Sequence, residues 1–194
     1  MRRIILASTS PRRKMLLEQI GLAFEQVASD YEEDMTLDMP PAELAKFLSK
    51  GKADSVSKNF DDALVIAADT IVEFDGEIFG KPHTPENSFE MLSRLNGTTH
   101  SIITGMTIID TASGRVESKA VTTEVDFRQL TEDEIQAYVD SGEPLDKAGA
   151  YGIQSLGVIL IKEIRGDYSN IVGLPLTPLV EMLKDFGVDV LSTS

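Results

Sequence analysis

The sequence predicts an α/β fold built on a mixed β-sheet, and three features of the chain carry that prediction. Short apolar runs typical of strands alternate with stretches typical of amphipathic helices. Asp75-Gly76, a dipeptide that favours tight hairpins, directly follows one long strand-like run. Thr111–Gly114 separates two further strand-like runs, which we expect to pair antiparallel. Helical connections and hairpins together predict a mixed sheet, and we expect a single domain over residues 1–194.

The individual elements follow from hydrophobic periodicity and from capping residues. Strands are predicted where apolar residues alternate or form short runs, at Ile4–Ala7, Phe24–Ala28, Leu64–Phe74, Ser101–Asp110, Val116–Phe127 and Gly157–Ile164. Helices are predicted where a cap or a proline precedes an amphipathic stretch, from Ser10 to Gly21, Pro40 to Lys58, Thr84 to Gly97, the capping box Thr131 to Glu134 onward, and Pro178 to Phe186. The second helix is expected to bury Leu44, Phe47, Leu48 and Val56. The acidic segment Asp30–Asp38 is predicted to be a loop.

Composition narrows the class of protein. Of the 194 residues, 42% are hydrophobic and 26% are charged, which is ordinary for a globular protein. The absence of cysteine excludes disulfides, thiolate zinc sites and a cysteine nucleophile. A formal net charge of −14 argues against binding to a nucleic acid polymer. Because the first apolar run is too short for a signal peptide and no stretch approaches the ~20 apolar residues of a membrane span, we expect a cytoplasmic protein with no membrane partner.

A basic turn after the first predicted strand is the first candidate site. Ser8 and Ser10 precede Arg12, Arg13 and Lys14, which fall in the first turn of a helix. Cations there oppose the helix dipole, at a cost of a few tenths of a kcal/mol each, which favours a bound anion. Free amides, hydroxyl groups and guanidinium groups together suit a phosphate chain. A solvated basic turn without a ligand is the alternative.

Asp69 is the second candidate, because it lies inside the apolar run Leu64–Val72. A buried carboxylate costs several kcal/mol unless it is paired, hydrogen-bonded or bound to a metal. Asp69 is therefore interpreted as a catalytic base or a metal ligand, with a structural aspartate that caps a neighbouring loop as the alternative.

Other candidates are dispersed along the chain. Glu33, Lys52 and Lys81 are individually typical of solvated charges. The spacing from Gly76 to Lys81 is one residue too short for a P-loop, and Pro82 stands where such a loop needs Ser or Thr. In the segment 146–154 the glycines permit close backbone approach, and Gln154 offers a donor and an acceptor to a base edge; a simple glycine-rich turn is the alternative.

Taken in order over nearly the whole chain, these residues resemble the Maf family, within the wider group related to inosine triphosphate pyrophosphatases. The agreement is highly specific because many separate segments match in the same order. They are Leu6–Arg13, Glu32-Glu33, Lys50–Ala53, Ala68–Thr70, Gly76-Glu77, Gly80–Pro82, Pro144–Gln154, Gly166–Tyr168 and Val172–Pro175.

The resemblance implies an elongated α/β fold with a central mixed sheet and flanking helices, two lobes around a cleft and, in many members, a homodimer. It implies hydrolysis of a nucleoside triphosphate to the monophosphate and pyrophosphate. The residues that it places along the cleft are Ser8, Arg12, Arg13, Glu33, Lys52, Asp69 and Lys81.

Within the family, the sequence is more similar to the pyrimidine branch, which acts on dTTP and UTP. Arg12, Thr70 and Gln154 stand where the branch that acts on 7-methyl-GTP typically has Trp, Gln and Glu, so we expect them to contact substrate. Ala67 and Ser155 depart from glycines that are common at those two places.

The resemblance also suggests a divalent cofactor, Mg²⁺ or Mn²⁺. Glu33, Asp69 or both would bind it and neutralise phosphate charge, and Asp69 is the candidate base for the attacking water. Whether Asp69 binds metal, orients water or does both stays open. Two other functions also stay open: a pyrophosphatase for modified or non-standard purine nucleotides, and a nucleotide-binding regulator of cell division.

Overall fold

The structure is a computed structural model, which describes residues 2–35 and 37–192. Within these residues a mixed sheet of seven strands is flanked by helices. Six strands follow the order β2-β1-β3-β5-β6-β7, and β4 pairs with β3. Their bounds are β1 Ile4–Ala7, β2 Glu25–Val27, β3 Leu64–Phe74, β4 Glu77–Phe79, β5 Thr99–Asp110, β6 Val116–Phe127 and β7 Ile161–Arg165. The predicted α/β class and mixed sheet are confirmed.

Helices begin close to the predicted caps. Their bounds are α1 Pro11–Gln19, α2 Pro41–Ser57, α3 Pro85–Leu95, α4 Glu132–Asp140, α5 Tyr168–Val172 and α6 Leu176–Asp185. Ser10 and Thr84 accept from the backbone of α1 and α3, and Thr131 with Glu134 completes the capping box of α4. Short 3₁₀ segments occupy Glu143–Asp146, Ala148–Ala150, Leu156–Leu160 and Val190–Ser192. None of the helices in the described ranges has the length and apolar character of a membrane span.

The parallel part of the sheet places two candidate residues at one edge. β1 pairs parallel with β2 and with β3, and Leu6 lies opposite Ile66 in the second pair. Ser8 follows Leu6 by two positions and Asp69 follows Ile66 by three. Both residues therefore lie toward the carboxyl end of the parallel pair, where α/β proteins position functional groups.

The predicted hairpins are also present. β3 and β4 pair antiparallel, and the turn between them consists of Asp75 and Gly76, both with positive φ, as a type I′ turn requires. β5 and β6 are neighbours joined by only the residues 111–115, a connection that is too short for a parallel crossover.

The chain divides into two compact units. The first contains the residues up to Asp69, Thr104–Val121 and the residues from Gly173 onward, and it has a core cluster in which Ile5, Val65 and Val56 are buried. The second contains Thr70–Ile103 and Thr122–Val172. Its core is richer in aromatic side chains and includes Phe79, Phe127, Tyr138 and Tyr151.

Three sequence predictions are wrong in detail. The predicted strand Gly157–Ile164 is wrong in its first half, which lies in the 3₁₀ segment Leu156–Leu160. The amides of Leu156 and Gly157 donate to the Glu143 carboxylate instead of to a neighbouring strand. α6 begins at Leu176, since Pro178 falls in the first turn, where its missing N–H costs nothing. Phe47 is 45% exposed, whereas Leu44, Leu48 and Val56 are buried as predicted.

The predicted loop Asp30–Asp38 lies in the connection from β2 to α2, and its Thr36 lies outside the described residues.

Candidate active site

The turn from β1 into α1 holds a guanidinium group in place. Ser8 is buried, and its Oγ accepts hydrogen bonds from the Ser10 amide at 3.2 Å and from Arg13 Nη1 at 3.3 Å. Arg13 Nε also donates to the Gly173 carbonyl at 2.8 Å. Burial lowers the pKa of Arg13, but a guanidinium group stays charged in proteins. Pro11 has no N–H, and the amides of Ser10, Arg13 and Lys14 already donate to Ser8 Oγ, Ser10 Oγ and the Ser10 carbonyl. The helix start therefore presents an ordered positive charge, and the predicted set of free amides is largely satisfied within the turn.

Arg12 and Lys14 extend this positive charge toward solvent. Both side chains are exposed, and Lys14 Nζ lies 3.7 Å from Glu18 Oε1 one turn further along α1. The repulsion between Arg12 and Arg13 is one of the effects that lower the pKa of Arg13, after burial. Like charges placed this close at a helix start favour an anionic ligand.

A second cluster joins three of the predicted residues through direct contacts. Lys52, in α2, donates from Nζ to Oδ1 of Asp69 in β3, and the same ammonium lies 2.7 Å from Glu33 Oε1. The Asp69 side chain is 6% exposed and that of Lys52 is 11% exposed, whereas that of Glu33 is 44% exposed. One ammonium group thus bridges a buried carboxylate and an accessible one.

The environment of Asp69 favours a proton acceptor. Burial raises the pKa of Asp69, while the charges of Lys52 and Arg13 oppose that rise. A carboxylate with a raised pKa is a better base than one at its ordinary value, and neighbouring cations keep it ionised near neutral pH. The hydrogen bond from the Lys52 side chain is compatible with a catalytic and with a structural aspartate, so both interpretations of Asp69 stay predictions.

The loop that carries Glu33 is fastened to α2 by residues that the sequence analysis missed. The Tyr31 ring lies so close to Gly51 that a Cβ at position 51 would overlap it. Ser29 Oγ lies 2.8 Å from Ser55 Oγ, one helical turn after Lys52. Gly51 in the middle of a predicted helix was the available signal, since an isolated helical glycine often marks a close approach.

Three predicted residues belong to the second unit and are described there. Thr70 is the residue after Asp69 in β3 and is half-buried. Lys81 is exposed in the segment after β4. Gln154 is exposed in the turn between the 3₁₀ segments that end at Ala150 and begin at Leu156. The substrate roles of these three residues stay predictions.

Glu33 and Asp69 would suit a divalent cation only if a bound substrate supplied further oxygen ligands. Among the residues that the structure describes, no group of three or more acidic or histidine side chains could hold a metal ion alone. Glu33 and Asp69 nevertheless converge on one cation, the Lys52 ammonium. Mg²⁺ is commonly held by one or two carboxylates together with substrate phosphates, so this donor set fits such an ion.

Comparisons with known proteins found a matching family, similar curated proteins and a solved structure. A family profile described as Maf-like protein matches residues 3–186. A protein of Methanococcoides burtonii named dTTP/UTP pyrophosphatase is 49% identical over 191 residues, which is 98% of each chain. A protein of Moorella thermoacetica with the same name is 46% identical over 190 residues and 98% of each chain. Among solved structures, the Staphylococcus aureus Ham1 protein aligns with 65% of this chain and 72% of its own, with a TM-score of 0.47 and 15% identity.

Proposed function

This chain belongs to the Maf family, and we propose that it hydrolyses dTTP and UTP to the monophosphate and pyrophosphate. The observation that carries the proposal is the cluster in which Lys52 bridges Asp69 and Glu33 while Arg13 is held at the start of α1. Such a set of cations and one buried carboxylate suits phosphoanhydride chemistry. Relatives that share the name dTTP/UTP pyrophosphatase and align over nearly their full length support the choice of substrate.

The phosphate chain is bound by the helix start. The guanidinium groups of Arg12 and Arg13 supply hydrogen bonds and positive charge. Ser8 fixes one of these groups, because its hydroxyl accepts from Arg13. Lys52 and, in the second unit, Lys81 are further ammonium groups for phosphate oxygens.

Asp69 acts as the base in the hydrolytic step. It accepts a proton from the water whose oxygen attacks the α-phosphorus, and the bond from that phosphorus to the bridging oxygen of the β-phosphate breaks. Pyrophosphate leaves with the bridging oxygen and its electron pair. The raised pKa of Asp69 matches this role, because burial makes its carboxylate more basic.

A divalent cation, Mg²⁺ or Mn²⁺, is proposed as the cofactor, with Glu33 and Asp69 as its protein ligands. Glu33 and Asp69 already offset Lys52 and Arg13 in formal charge, so the cluster has little surplus positive charge for a triphosphate. When bound, the cation would neutralise phosphate charge that develops as the anhydride bond breaks.

Selectivity for a pyrimidine base is assigned to Gln154, with Thr70 and Arg12 as further contacts. A glutamine side chain presents one donor group and one acceptor and can pair with a pyrimidine edge, whereas an ionised glutamate only accepts. A pyrophosphatase for modified purine nucleotides is the competing function, and a nucleotide-binding regulator without turnover is the non-enzymatic one.

Two wider properties are proposed with this function. We expect a homodimer, as the family resemblance implies, and a cytoplasmic protein that binds neither nucleic acid polymers nor membranes, which the net charge of −14 supports. Sedimentation of the purified protein at several concentrations tests the first, and cell fractionation tests the second.

The test of the proposed function is a nucleotide panel. dTTP, UTP, dCTP, dATP, GTP and modified purine triphosphates are each incubated with Mg²⁺, with Mn²⁺ and with excess chelator, and pyrophosphate and orthophosphate are measured separately. We expect pyrophosphate from dTTP and UTP with either metal. Release of orthophosphate would refute the bond assignment, full activity in chelator would refute the cofactor, and preference for a modified purine would favour the competing enzyme.

A further inference from the structure

The turn that carries Gln154 is closed at its base by a contact between two glycines of the second unit. A Cβ on Gly157 would lie 2.6 Å from the Gly152 carbonyl oxygen and 2.6 Å from Tyr138 Oη. Only a glycine allows the chain to return this closely to its starting point. The six residues 152–157 thus form a small loop, and the Gln154 side chain is exposed on it.

One carboxylate holds the outgoing end of this loop. Glu143 accepts hydrogen bonds from the amides of Leu156 and Gly157, each at 3.0 Å, through its two different oxygens. The Ser155 hydroxyl is a further donor to the same carboxylate. Glu143 therefore binds the three residues that follow Gln154 in the chain. Burial opposes the ionised form, but these hydrogen bonds hold the pKa of Glu143 below its ordinary value.

A buried tyrosine hydroxyl links that carboxylate to the incoming end. Tyr138 Oη donates to Glu143 Oε1 at 2.9 Å and accepts from the Gly152 amide at 3.3 Å. Tyr138 is 3% exposed and belongs to α4, whose start is fixed by a capping box. Lys147 Nζ also donates to the Glu143 carbonyl at 2.7 Å and so orders the backbone beside the carboxylate.

We propose that Glu143 and Tyr138 are positioning residues for selectivity, which fix the loop 152–157 so that Gln154 meets the base in one orientation. This inference rests on the proposed function, because it takes the nucleotide base as the partner of Gln154. Neither residue touches the reacting atoms in this assignment. Their loss should therefore weaken discrimination among bases and leave the phosphate chemistry intact.

The chemistry of the carboxylate makes Glu143→Gln a sharp test. Both oxygens of Glu143 accept from N–H or O–H groups, whereas a glutamine amide turns one of them into a donor that faces another donor. Tyr138→Phe keeps the ring and removes only the hydroxyl. Glu134→Gln is the matched control, since Glu134 also accepts a backbone amide, that of Thr131 at 2.8 Å, but contacts the start of α4 and not the loop.

The experiment measures kcat and KM for dTTP and for GTP, together with inhibition by added pyrophosphate, in all three variants and in Gln154→Glu. For Glu143→Gln and Tyr138→Phe we expect KM for dTTP to rise about 10-fold, the effect of about one lost polar contact. The ratio of kcat/KM for dTTP to that for GTP should fall, while kcat and the inhibition constant of pyrophosphate stay within about twofold. Gln154→Glu should lower the same ratio, and Glu134→Gln should not.

The outcomes separate this inference from the proposed function. A wild-type protein that releases no pyrophosphate from dTTP or UTP overturns the proposed function and the inference with it. If the wild type is active and Gln154→Glu loses selectivity, while Glu143→Gln and Tyr138→Phe both keep it, only the inference is overturned. If Glu143 and Tyr138 merely stabilise the fold, their variants would have a lower thermal midpoint but an unchanged ratio of kcat/KM for dTTP to that for GTP, and the inference would be overturned. If Glu143→Gln fails to fold, Tyr138→Phe decides the question alone.

Discussion

The Lys52 ammonium donates a hydrogen bond to Oδ1 of Asp69 and lies 2.7 Å from Glu33 Oε1. This relationship explains how a carboxylate can be buried in the middle of an apolar strand, because the cation offsets the cost of removing Asp69 from water. It also joins the strand that supplies the proposed base to the loop that supplies the proposed second metal ligand. A change at Lys52 should consequently affect both.

Lys52→Met should lower kcat/KM for dTTP by about 10²-fold or more, because it removes a charge that stabilises phosphate and orders Asp69. Lys50→Met is the matched control: Lys50 lies on the same helix and bonds Asp54 at 2.6 Å, but both side chains are more than 40% exposed. An exposed pair contributes about 1 kcal/mol at most, so this variant should keep wild-type kinetics. Equal losses in the two variants would contradict a special role for Lys52.

Asp69→Asn should lower turnover by about 10²- to 10⁴-fold, because the amide cannot take a proton from water. Nucleotide binding and the thermal midpoint are measured on the same preparation, so that lost chemistry is distinguished from lost folding. A folded variant that binds dTTP and turns it over normally would remove Asp69 from the mechanism. Glu33→Gln would then be the next variant to assay.

The pH profile of the wild type provides an independent check on Asp69. Burial raises the pKa of this carboxyl, and the base must be ionised to act. We therefore expect kcat to fall, as pH decreases, at a higher pH than an ordinary aspartate would produce. An acid limb at or below the ordinary aspartate range in a profile taken at saturating dTTP would count against Asp69 as the base.

Gly51→Ala should reduce activity without reducing stability. Alanine favours the helix by about 1 kcal/mol over glycine, yet its Cβ would overlap the Tyr31 ring and displace the loop that carries Glu33. The measurement is kcat/KM together with the thermal midpoint. In a Tyr31→Ala background, where the overlap is gone, the same substitution should cost nothing further. An equal activity loss in both backgrounds would refute the steric explanation.

His100 should make the second unit sensitive to acid. It is 2% exposed, its Nε2 lies 2.7 Å from Tyr151 Oη, and burial lowers its pKa from 6.5 to about 4. The unfolded chain takes up a proton at a higher pH than the folded one, so the stability from neutral His100 is complete above pH 6.5 and is lost as pH falls through about 4. The full loss is about 3 kcal/mol. The free energy of unfolding should therefore change less between pH 7 and pH 4.5 in His100→Gln than in the wild type. His83→Gln is the control for the other histidine and should behave like the wild type.

Local sequence patterns were sufficient for most of the fold. The bounds of Ile4–Ala7, Leu64–Phe74 and Val116–Phe127 were predicted to the residue, because apolar periodicity and turn dipeptides act over a few neighbours. The apolar segment around Val158 and Ile159 was misassigned for the opposite reason. The preceding amides of Leu156 and Gly157 donate to the carboxylate of Glu143, which lies outside the segment. The side chains of Val158 and Ile159 are about half exposed, which no local pattern reveals.

The sequence by itself determined the chemistry of the site, and the tertiary structure decided its geometry. An aspartate in an apolar strand and cations at a helix start are costly in isolation, so Asp69 and Arg13 could be proposed as site residues without coordinates. That Lys52 lies between Asp69 and Glu33, that Tyr31 packs on Gly51, and that Glu143 binds the turn of Gln154 depend on contacts between distant parts of the chain. Such contacts are set by the packing of helices and loops on the sheet, and the spacing of residues along a single chain does not specify them.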